Sequence, residues 1–278
     1  PQILLSGSII KFDKLNTHLS SNIYPPVISG LMPSRWAFEA IAVSQFRYNN
    51  YQNYFFEINK KESIISYRLN HLIPKLISIN DETKSLLGKG NKNEIINNQK
   101  IIYKQLKNLG YQYKTSIDSD NETISHFIVQ TDKHLNRLKA EYSKKLDAVL
   151  YQKDTITNKL VEEFGSTAGF IDFKNGNHNK AVANLVLNTD NQQNIRLYNN
   201  DLIRLFEPVY QSATNKMGRE QFFISEKKLF GKIFNTVYYN ILIIWSLNLL
   251  LYIALLYNVL YIILNRFKLK KTLMAIIK

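Results

Sequence analysis

Residues 236–264, TVYYNILIIWSLNLLLYIALLYNVLYIIL, decide the architecture of this chain because they form a long and almost entirely apolar run. No Asp, Glu, Lys, Arg or His occurs between Ile233 and Asn265. About 20 helical residues cross a hydrocarbon layer of roughly 30 Å, so this run can span a bilayer with tilt. We therefore predict one transmembrane helix at about 236–264, with the lipid bilayer as its partner.

The flanks of the run support the same interpretation. Tyr238, Tyr239, Tyr257 and Tyr261 lie toward its two ends, where amphipathic rings favour the headgroup region. A basic tail follows immediately and holds five Lys or Arg residues and no acid. The alternative is a buried helix of a soluble domain, but such helices are rarely so long and so uniformly apolar. A cleaved signal sequence does not fit a C-terminal position.

The amino-acid composition argues against several classes of function. The 278 residues carry a formal net charge of +14 and contain no cysteine. A nucleic-acid partner is not predicted, because no cluster of Lys and Arg with interleaved aromatic residues occurs outside the tail. The abundance of Ile, Lys, Asn and Tyr is instead typical of an AT-rich coding sequence. Without cysteine, disulfides, thiol catalysis and Cys-type zinc sites are excluded.

The ends of the chain suggest a piece of a longer polypeptide. The sequence begins without Met, and its opening PQILLSGSII is apolar, as expected for the exit of an earlier membrane helix. We divide the chain into residues 1–56, the end of that helix plus an outer-face re-entrant or amphipathic segment, and 57–232, a helical extracytoplasmic domain. A transmembrane helix at 233–265 and a basic cytoplasmic tail at 266–278 complete it.

The outer-face segment contains a clear helix, SRWAFEAIAVSQFRYN, which starts near Pro33. We expect its apolar face to hold Trp36, Ala37, Ala40, Ile41 and Phe46. Its two early charges, at positions 35 and 39, are one turn apart and can pair. An unpaired carboxylate beside this much apolar surface would be costly, so the pair Arg35–Glu39 is interpreted as structural rather than catalytic.

Apolar residues at spacings of three and four predict helices through most of 57–232. Asn59 with Glu62 resembles a capping box, and Pro74 should kink the helix that follows. Ile95, Ile102, Leu106 and Leu109 mark another helix, which Gly110 stops. We predict a loop at 165–180 and a short helix around AVANLVLN, and we assign the fold class as all-α.

A much longer helix is predicted at 119–164, with Ser119 and Glu122 as its capping box and Gly165 after its end. Such a helix is on the order of 60 Å long, because each residue adds 1.5 Å. One small core cannot cover that length. It should therefore lie along a partner helix, in this chain or in another.

Motifs that carry chemistry are scarce. Neither LLGKGNK nor FGSTAGF has the glycines and the Lys-Ser/Thr pair of a phosphate-binding loop. His126 and His134 lie about 80° apart around one helix and have no third ligand nearby, so we predict no metal site. No GxSxG, HExxH or paired carboxylates stand out, and we predict that this chain is not itself an enzyme.

Two asparagines in the apolar run are the nearest approach to a functional site. Asn240 and Asn248 are eight residues apart, and amides in lipid normally face other helices or a water-filled cavity. They are candidates for the wall of a transport path. The alternative is that they only hold helices together through hydrogen bonds.

Two stretches resemble a known family. LSGSIIKFDKLN followed by SGLMPSRWAFEAIAVSQFRYN resembles the segment after the fifth membrane helix of G-subfamily (White-type) ABC exporters. DLIRLFEPVY, MGREQFFISEKKLFG and the apolar run resemble the last part of large ABC-2-type transporters of Bacteroidetes. Residues 60–200 resemble that family only by position.

The resemblance implies a function for the whole protein. The chain would supply the last external domain and last transmembrane helix of an ATP-driven exporter permease, working as a homodimer or heterodimer of half-transporters. ATP and Mg²⁺ would bind a nucleotide-binding domain outside this sequence, so no cofactor is expected on this chain. The competing hypothesis is a single-span membrane-anchored helical scaffold or sensor domain.

Orientation follows from charge and from the resemblance. The two sides of the apolar run carry equal numbers of cations. Five lie in the tail, and five lie on the N-terminal side: Lys216, Arg219, Lys227, Lys228 and Lys232. Long domains cross membranes largely regardless of charge, and the tail lacks any compensating acid. We therefore expect the tail in the cytoplasm and residues 8–232 in the periplasm, on an inner-membrane protein that is multi-pass in its full form.

Overall fold

The structure, a computed structural model, describes residues 4–9, 11–12, 15, 23–87, 91–111, 120–191, 193–213, 220–259 and 265. The chain forms two compact units. We call Pro1–Val43 with Ala213–Lys278 the terminal unit, and Ser44–Ser212 the central unit. The predicted basic tail at 266–278, Ser119 of the predicted capping box and the cations Lys216 and Arg219 lie outside the described residues.

The described residues are mostly helical. In chain order the elements are α1 (Pro33–Arg47), α2 (Asn50–Tyr67), α3 (Ile73–Leu86), α4 (Lys92–Asn108), α5 (Asn121–Glu163), α6 (Thr167–Asn177), α7 (Lys180–Leu187), β1 (Ile195–Tyr198), β2 (Asp201–Arg204), β3 (Glu226–Leu229), β4 (Lys232–Asn235) and α8 (Thr236–Leu256).

Helix α1 begins at Pro33, as predicted, because proline at the first helical position loses no intrahelical hydrogen bond. A 3₁₀ turn at Val27–Leu31 precedes it, and the indole of Trp36 donates a 2.8 Å hydrogen bond to the carbonyl of Gly30 in that turn. The predicted apolar face is wrong at Ile41, which is 66% exposed.

Helix α2 starts earlier than predicted. Asn49 caps it by accepting a hydrogen bond from the backbone N–H of Gln52, so the predicted start at Asn59 is wrong. Glu62 does not cap a helix but pairs with Lys153 of α5 at 2.6 Å. One π-helical turn, Arg68–Leu72, separates α2 from α3 just before Pro74. A proline that cannot donate an intrahelical hydrogen bond accounts for this local change of helix type.

The long helix is confirmed as α5, with 43 residues. Asp120 provides its N-cap and Gly165, at φ +74°, follows its end. Its partners lie in the same chain, because α2 and α3 pack along it. Buried Leu135, Leu138 and Tyr142 of α5 meet α3 residues such as Leu76 in the largest core of the central unit.

Residues 165–180 contain a helix instead of the predicted loop. Ser166 caps α6 by accepting a hydrogen bond from the N–H of Gly169 at 3.0 Å. Phe173 stacks on Phe164 with ring centroids 4.5 Å apart, and Phe170 packs against the core around Phe55. Aromatic packing and a good cap thus outweigh the low helix propensity of the glycines in this segment. The predicted short helix is confirmed as α7.

The fold class is mostly helical rather than all-α, because two antiparallel hairpins are present. Strand β1 pairs with β2, and β3 pairs with β4. Both two-residue turns, Asn199–Asn200 and Phe230–Gly231, have positive φ at both positions, which is the geometry of type I′ turns. Four-residue strands are too short to show the alternation on which a strand prediction depends.

Helix α8 contains the apolar run. It is 21 residues long, contains an 18-residue stretch with a mean hydropathy of 2.0, and is long and apolar enough to cross a membrane. Helix α8 ends at Leu256, and Asn258 follows with a left-handed φ of +47°. Residues 260–264 of the predicted span lie outside the described residues. The observed length still gives about 31 Å at 1.5 Å per residue, close to a hydrocarbon thickness.

Candidate functional site: a buried charge cluster around Glu39

The carboxylate of Glu39 is fully buried in the terminal unit and lies at the centre of a charge cluster. The ammonium group of Lys227 on β3 donates to its Oε2 at 2.6 Å. The amide of Asn240 on α8 donates to the same oxygen at 3.0 Å, and the backbone N–H of Phe223 donates to Oε1 at 3.2 Å. Three segments that are distant from Glu39 in sequence therefore supply donors to one carboxylate. A buried charge needs such partners, because it has lost its hydrogen bonds to water.

Arg35 is the second cation near Glu39. Its guanidinium nitrogen lies 3.9 Å from Glu39 Oε2, a longer contact than that of Lys227. The guanidinium also lies over the ring of Trp36, at 3.9 Å from the ring centroid. Arg35 is therefore held by a cation–π contact and by charge attraction rather than by a short ion pair. The Nε atom of Arg35 is buried without a hydrogen-bond partner among the described residues.

Asn240 joins the cluster to α8. Besides its bond to Glu39, its Nδ2 donates to the backbone carbonyl of Trp36 at 3.0 Å. Its Oδ1 accepts a hydrogen bond from Lys227 at 3.2 Å. The amide is fully buried and uses both of its polar atoms, so it fastens the beginning of α8 to α1 and β3.

The strand-to-helix junction holds Lys227 and Asn240 in register. Asn235 ends β4 and also caps α8 by accepting from the N–H of Val237. Thr236 is fully buried, and its hydroxyl donates to the carbonyl of Ile224 at 2.5 Å while its N–H donates to that of Ser225 at 3.1 Å. The hairpin and α8 are thus connected without a flexible linker.

The backbone beside the cluster is strained. Phe223 has φ +68°, a conformation that bulky side chains rarely adopt. Its N–H is the one that donates to Glu39. A strained residue whose N–H faces a buried carboxylate indicates that the surrounding contacts hold this segment in place.

Burial and charge act in opposite directions on the titration of the cluster. Burial raises the pKa of Glu39, but Lys227 and Arg35 outweigh that effect, and the net pKa is lowered. Burial lowers the pKa of Lys227 to about 8, although the Glu39 carboxylate opposes the change. Burial likewise lowers the pKa of Arg35. Glu39 therefore stays ionised at neutral pH and gives Lys227 and Arg35 a shared counter-ion.

The second predicted transport-path residue lies elsewhere. Asn248 is exposed on α8, two turns beyond Asn240, so the structure does not bring the two amides together. The assignment of either residue to a transport path stays a prediction. Among the described residues, no group of three or more His, Asp or Glu side chains could hold a metal ion.

The central unit has its own buried cation, which the sequence did not indicate. Arg204 on β2 is 5% exposed and donates to Glu207 and to the hydroxyl of Ser63 at 2.6 Å. Burial lowers its pKa to about 10 against the attraction of Glu207. The guanidinium also lies 4.3 Å from the ring centroid of Phe206. This group joins α2 to the β1–β2 hairpin through contacts within the central unit, so we interpret it as structural.

Sequence reasoning missed Lys227 as a member of the Glu39 cluster. Lys227 and Glu39 are separated by 188 positions, and no local pattern connects them. A usable signal was the segment SEKKLFGKIFN, in which one of several lysines must point inward once the segment forms a hairpin.

Comparisons of the chain with models of protein families, with curated proteins and with solved structures find no match.

Proposed function

We propose that this chain is the C-terminal portion of the permease of an ATP-driven ABC-2-type exporter, in which α8 is the last transmembrane helix. Three observations support the proposal. The first is the resemblance to that class of transporter, which is carried by residues 5–16, 29–49, 201–210, 217–231 and 235–260. The second is α8 itself, whose apolar side chains are exposed on every side, as a helix surrounded by lipid and other membrane helices would need.

The observation that carries the proposal furthest is the buried cluster around Glu39. It fastens α1, the helix that resembles the outer-face segment of such exporters, to the first two turns of α8. In a permease this attachment makes the outer-face segment and the last membrane helix move together. The substrate route would then be opened and closed by motion of a single body rather than of two independent helices.

Exposed apolar residues around α1 support a location at the membrane surface. Val27 and Leu31 on the preceding 3₁₀ turn are 76% and 68% exposed, and Ile41 is 66% exposed. Exposure of these apolar side chains to water is unfavourable, whereas they can be buried at the boundary between lipid headgroups and acyl chains. In the proposed orientation this face and the central unit lie in the periplasm, and the basic tail lies in the cytoplasm.

ATP hydrolysis tests the proposal. An antibody against the central unit would isolate the protein from native membranes together with whatever is attached to it, for assay in lipid nanodiscs. We expect vanadate-sensitive hydrolysis of Mg-ATP, with the ATP-binding domain identified by mass spectrometry. A preparation depleted with the same antibody is the control. Isolated protein without ATPase activity and without an ATP-binding polypeptide would contradict the exporter.

That outcome would favour the second candidate, a membrane-anchored helical scaffold or sensor. The observation that supports this candidate is the central unit. Helix α5 provides 43 continuous residues, and large parts of its surface are polar and exposed. Such a helix could present a long surface to another protein while α8 serves only as an anchor.

A further inference from the structure

The two hairpins have the same turn geometry but very different turn residues. In the β1–β2 turn, Asn199 and Asn200 have φ +51° and +57°, and asparagine tolerates this left-handed conformation. In the β3–β4 turn, the first position is Phe230 at φ +49°, followed by Gly231. Phenylalanine is poorly suited to this backbone conformation, so local turn chemistry does not account for it.

Phe230 is also the most exposed large apolar side chain among the described residues, at 85%. Both the left-handed backbone of Phe230 and the exposure of its ring to water are energetically unfavourable. Ile233, directly opposite Lys228 on the outward face of the hairpin, is 63% exposed, and Tyr238 in the first turn of α8 is 72% exposed. The hairpin and the first turn of α8 thus both carry exposed apolar side chains.

Lysines flank this surface. Lys232 follows the turn directly and is exposed, and Lys228 is partly exposed beside Ile233. An aromatic tip with adjacent cations is suited to the zone where acyl chains meet anionic headgroups.

Distance also favours the membrane surface. Strand β4 has four residues and runs into α8 without a linker, so the turn lies within roughly 13 Å of the start of α8. The headgroup zone extends some 5–8 Å beyond the hydrocarbon on each side. A hairpin inclined toward the bilayer plane therefore reaches the headgroups with its tip.

We propose that the β3–β4 hairpin is a lipid-binding anchor, in which Phe230 inserts at the boundary between headgroups and acyl chains while Lys228 and Lys232 bind anionic lipid phosphates. This inference rests on the proposed crossing of the membrane by α8. It adds a second, interfacial contact with the bilayer beside the transmembrane helix.

Spin labels can test this depth directly, because this chain contains no cysteine of its own and any cysteine elsewhere in the full protein can be replaced beforehand. Single cysteines at Phe230, at Leu250 in α8 and at Asn199 in the other hairpin turn would carry a nitroxide in the full protein. The protein would be reconstituted in vesicles of phosphatidylethanolamine and phosphatidylglycerol. Collision rates with oxygen, which enters lipid, and with a water-soluble nickel chelate report the depth of each label.

We expect oxygen collisions to dominate at Leu250, nickel collisions to dominate at Asn199, and Phe230 to lie between them at headgroup depth. A second label at Ile233 leaves Phe230 in place. Introducing Phe230→Asn, which suits the turn better, should shift the Ile233 label toward water. The turn should stay folded, because asparagine occupies the same position in the β1–β2 hairpin.

The remaining outcomes separate this inference from the proposal on which it rests. A Phe230 label as open to nickel as Asn199, with Leu250 in lipid, would overturn the anchor and leave the membrane crossing intact. A Phe230 label shielded from both reagents would mean a protein cover and would also overturn it. A Leu250 label in water would overturn the membrane crossing and the anchor together.

Discussion

Glu39 accepts hydrogen bonds from Lys227, Asn240 and the backbone of Phe223, so one carboxylate connects α1 with β3, α8 and the segment before β3. Buried ion pairs often contribute little net stability, because desolvation offsets their attraction. Removing one partner is different, since the other charge stays buried without compensation. The cluster is therefore expected to determine which arrangement the terminal unit adopts more than how stable it is.

Double-mutant cycles should rank the two cations. Lys227→Met alone should destabilise the terminal unit by about 3–5 kcal/mol, and combining it with Glu39→Gln should recover a large part of that loss. The Arg35→Met and Glu39→Gln cycle should give a smaller coupling energy, because that contact is 3.9 Å long instead of 2.6 Å. Denaturant titration of the protein in nanodiscs measures both. Equal couplings, or additive losses in both cycles, would contradict the geometry.

Acid should weaken the terminal unit through Glu39. Its folded pKa is lowered by Lys227 and Arg35 despite burial, so the unfolded state binds a proton more readily than the folded state. The resulting stability is present above about pH 4.3, the ordinary pKa of Glu, and is lost as pH falls through the lower folded value.

Melting temperatures between about pH 6 and pH 3 would show this effect. Glu39→Gln should flatten the acid side of the curve, since glutamine cannot titrate. The matched control is Glu226→Gln. Glu226 precedes Lys227 on β3, and because successive side chains of a strand point to opposite faces, it points away from Glu39. This variant should keep the pH dependence of the unmodified protein. An unchanged slope in Glu39→Gln would contradict a charged, buried Glu39.

At the scale of the elements, α8 carries two asparagines in very different surroundings. Asn240→Leu would leave the carbonyl of Trp36 and two charged groups short of partners, at a cost of about 1–3 kcal/mol. Asn248→Leu removes an exposed amide and should leave the isolated chain as stable as before. Thermal unfolding in nanodiscs compares them, and equal losses would show that Asn240 is not engaged as described.

Transport assays on the same pair of variants address the transport path. If Asn248 lines the route, Asn248→Leu should change which substrates stimulate ATP hydrolysis in the complete transporter without reducing the amount of folded protein. If it only contacts another helix, assembly should weaken by about 0.6 kcal/mol and substrate preference should stay the same.

Local patterns predicted some elements well and others badly, for physical reasons. The course of α5 followed from apolar spacing, because a helix of 43 residues repeats its pattern many times. Helix α6 was missed because two glycines suggested a loop, whereas the Ser166 cap and the stacking of Phe173 on Phe164 stabilise a helix. The hairpins were missed because four residues are too few for a periodic signal, although Asn199–Asn200 is a recognisable turn pair.

The candidate site shows the same limit more sharply. The pairing of Arg35 with Glu39 could be anticipated, since residues one helical turn apart are neighbours. The closer partner, Lys227, could not, because it comes from a strand 188 positions away. Asn240 was identified as unusual for its polarity in an apolar run, but its bonds depend on how α1 and β3 pack against α8.

Taken as a whole, the molecule joins mostly helical structure to α8, a helix that is long and apolar enough to cross a membrane. The central unit has helical cores of its own and a buried cation at Arg204, so it needs no lipid to explain its fold. The terminal unit combines the apolar α8 with a fully buried charge cluster. That combination is expected where a helix leaves water, because charges must be neutralised before the bilayer begins.

Membrane topology tests the proposed crossing by α8 most directly, with single cysteines introduced into this cysteine-free chain after any cysteine elsewhere in the full protein has been replaced. Tyr151→Cys places a thiol on an exposed position of α5 (76%), and Ala275→Cys places one in the basic tail. In cells whose outer membrane has been permeabilised, a membrane-impermeant maleimide should label Tyr151→Cys at once and Ala275→Cys only after the inner membrane is opened. Labelling of both thiols before that step would contradict a membrane crossing by α8, and labelling of the tail alone would reverse the proposed orientation.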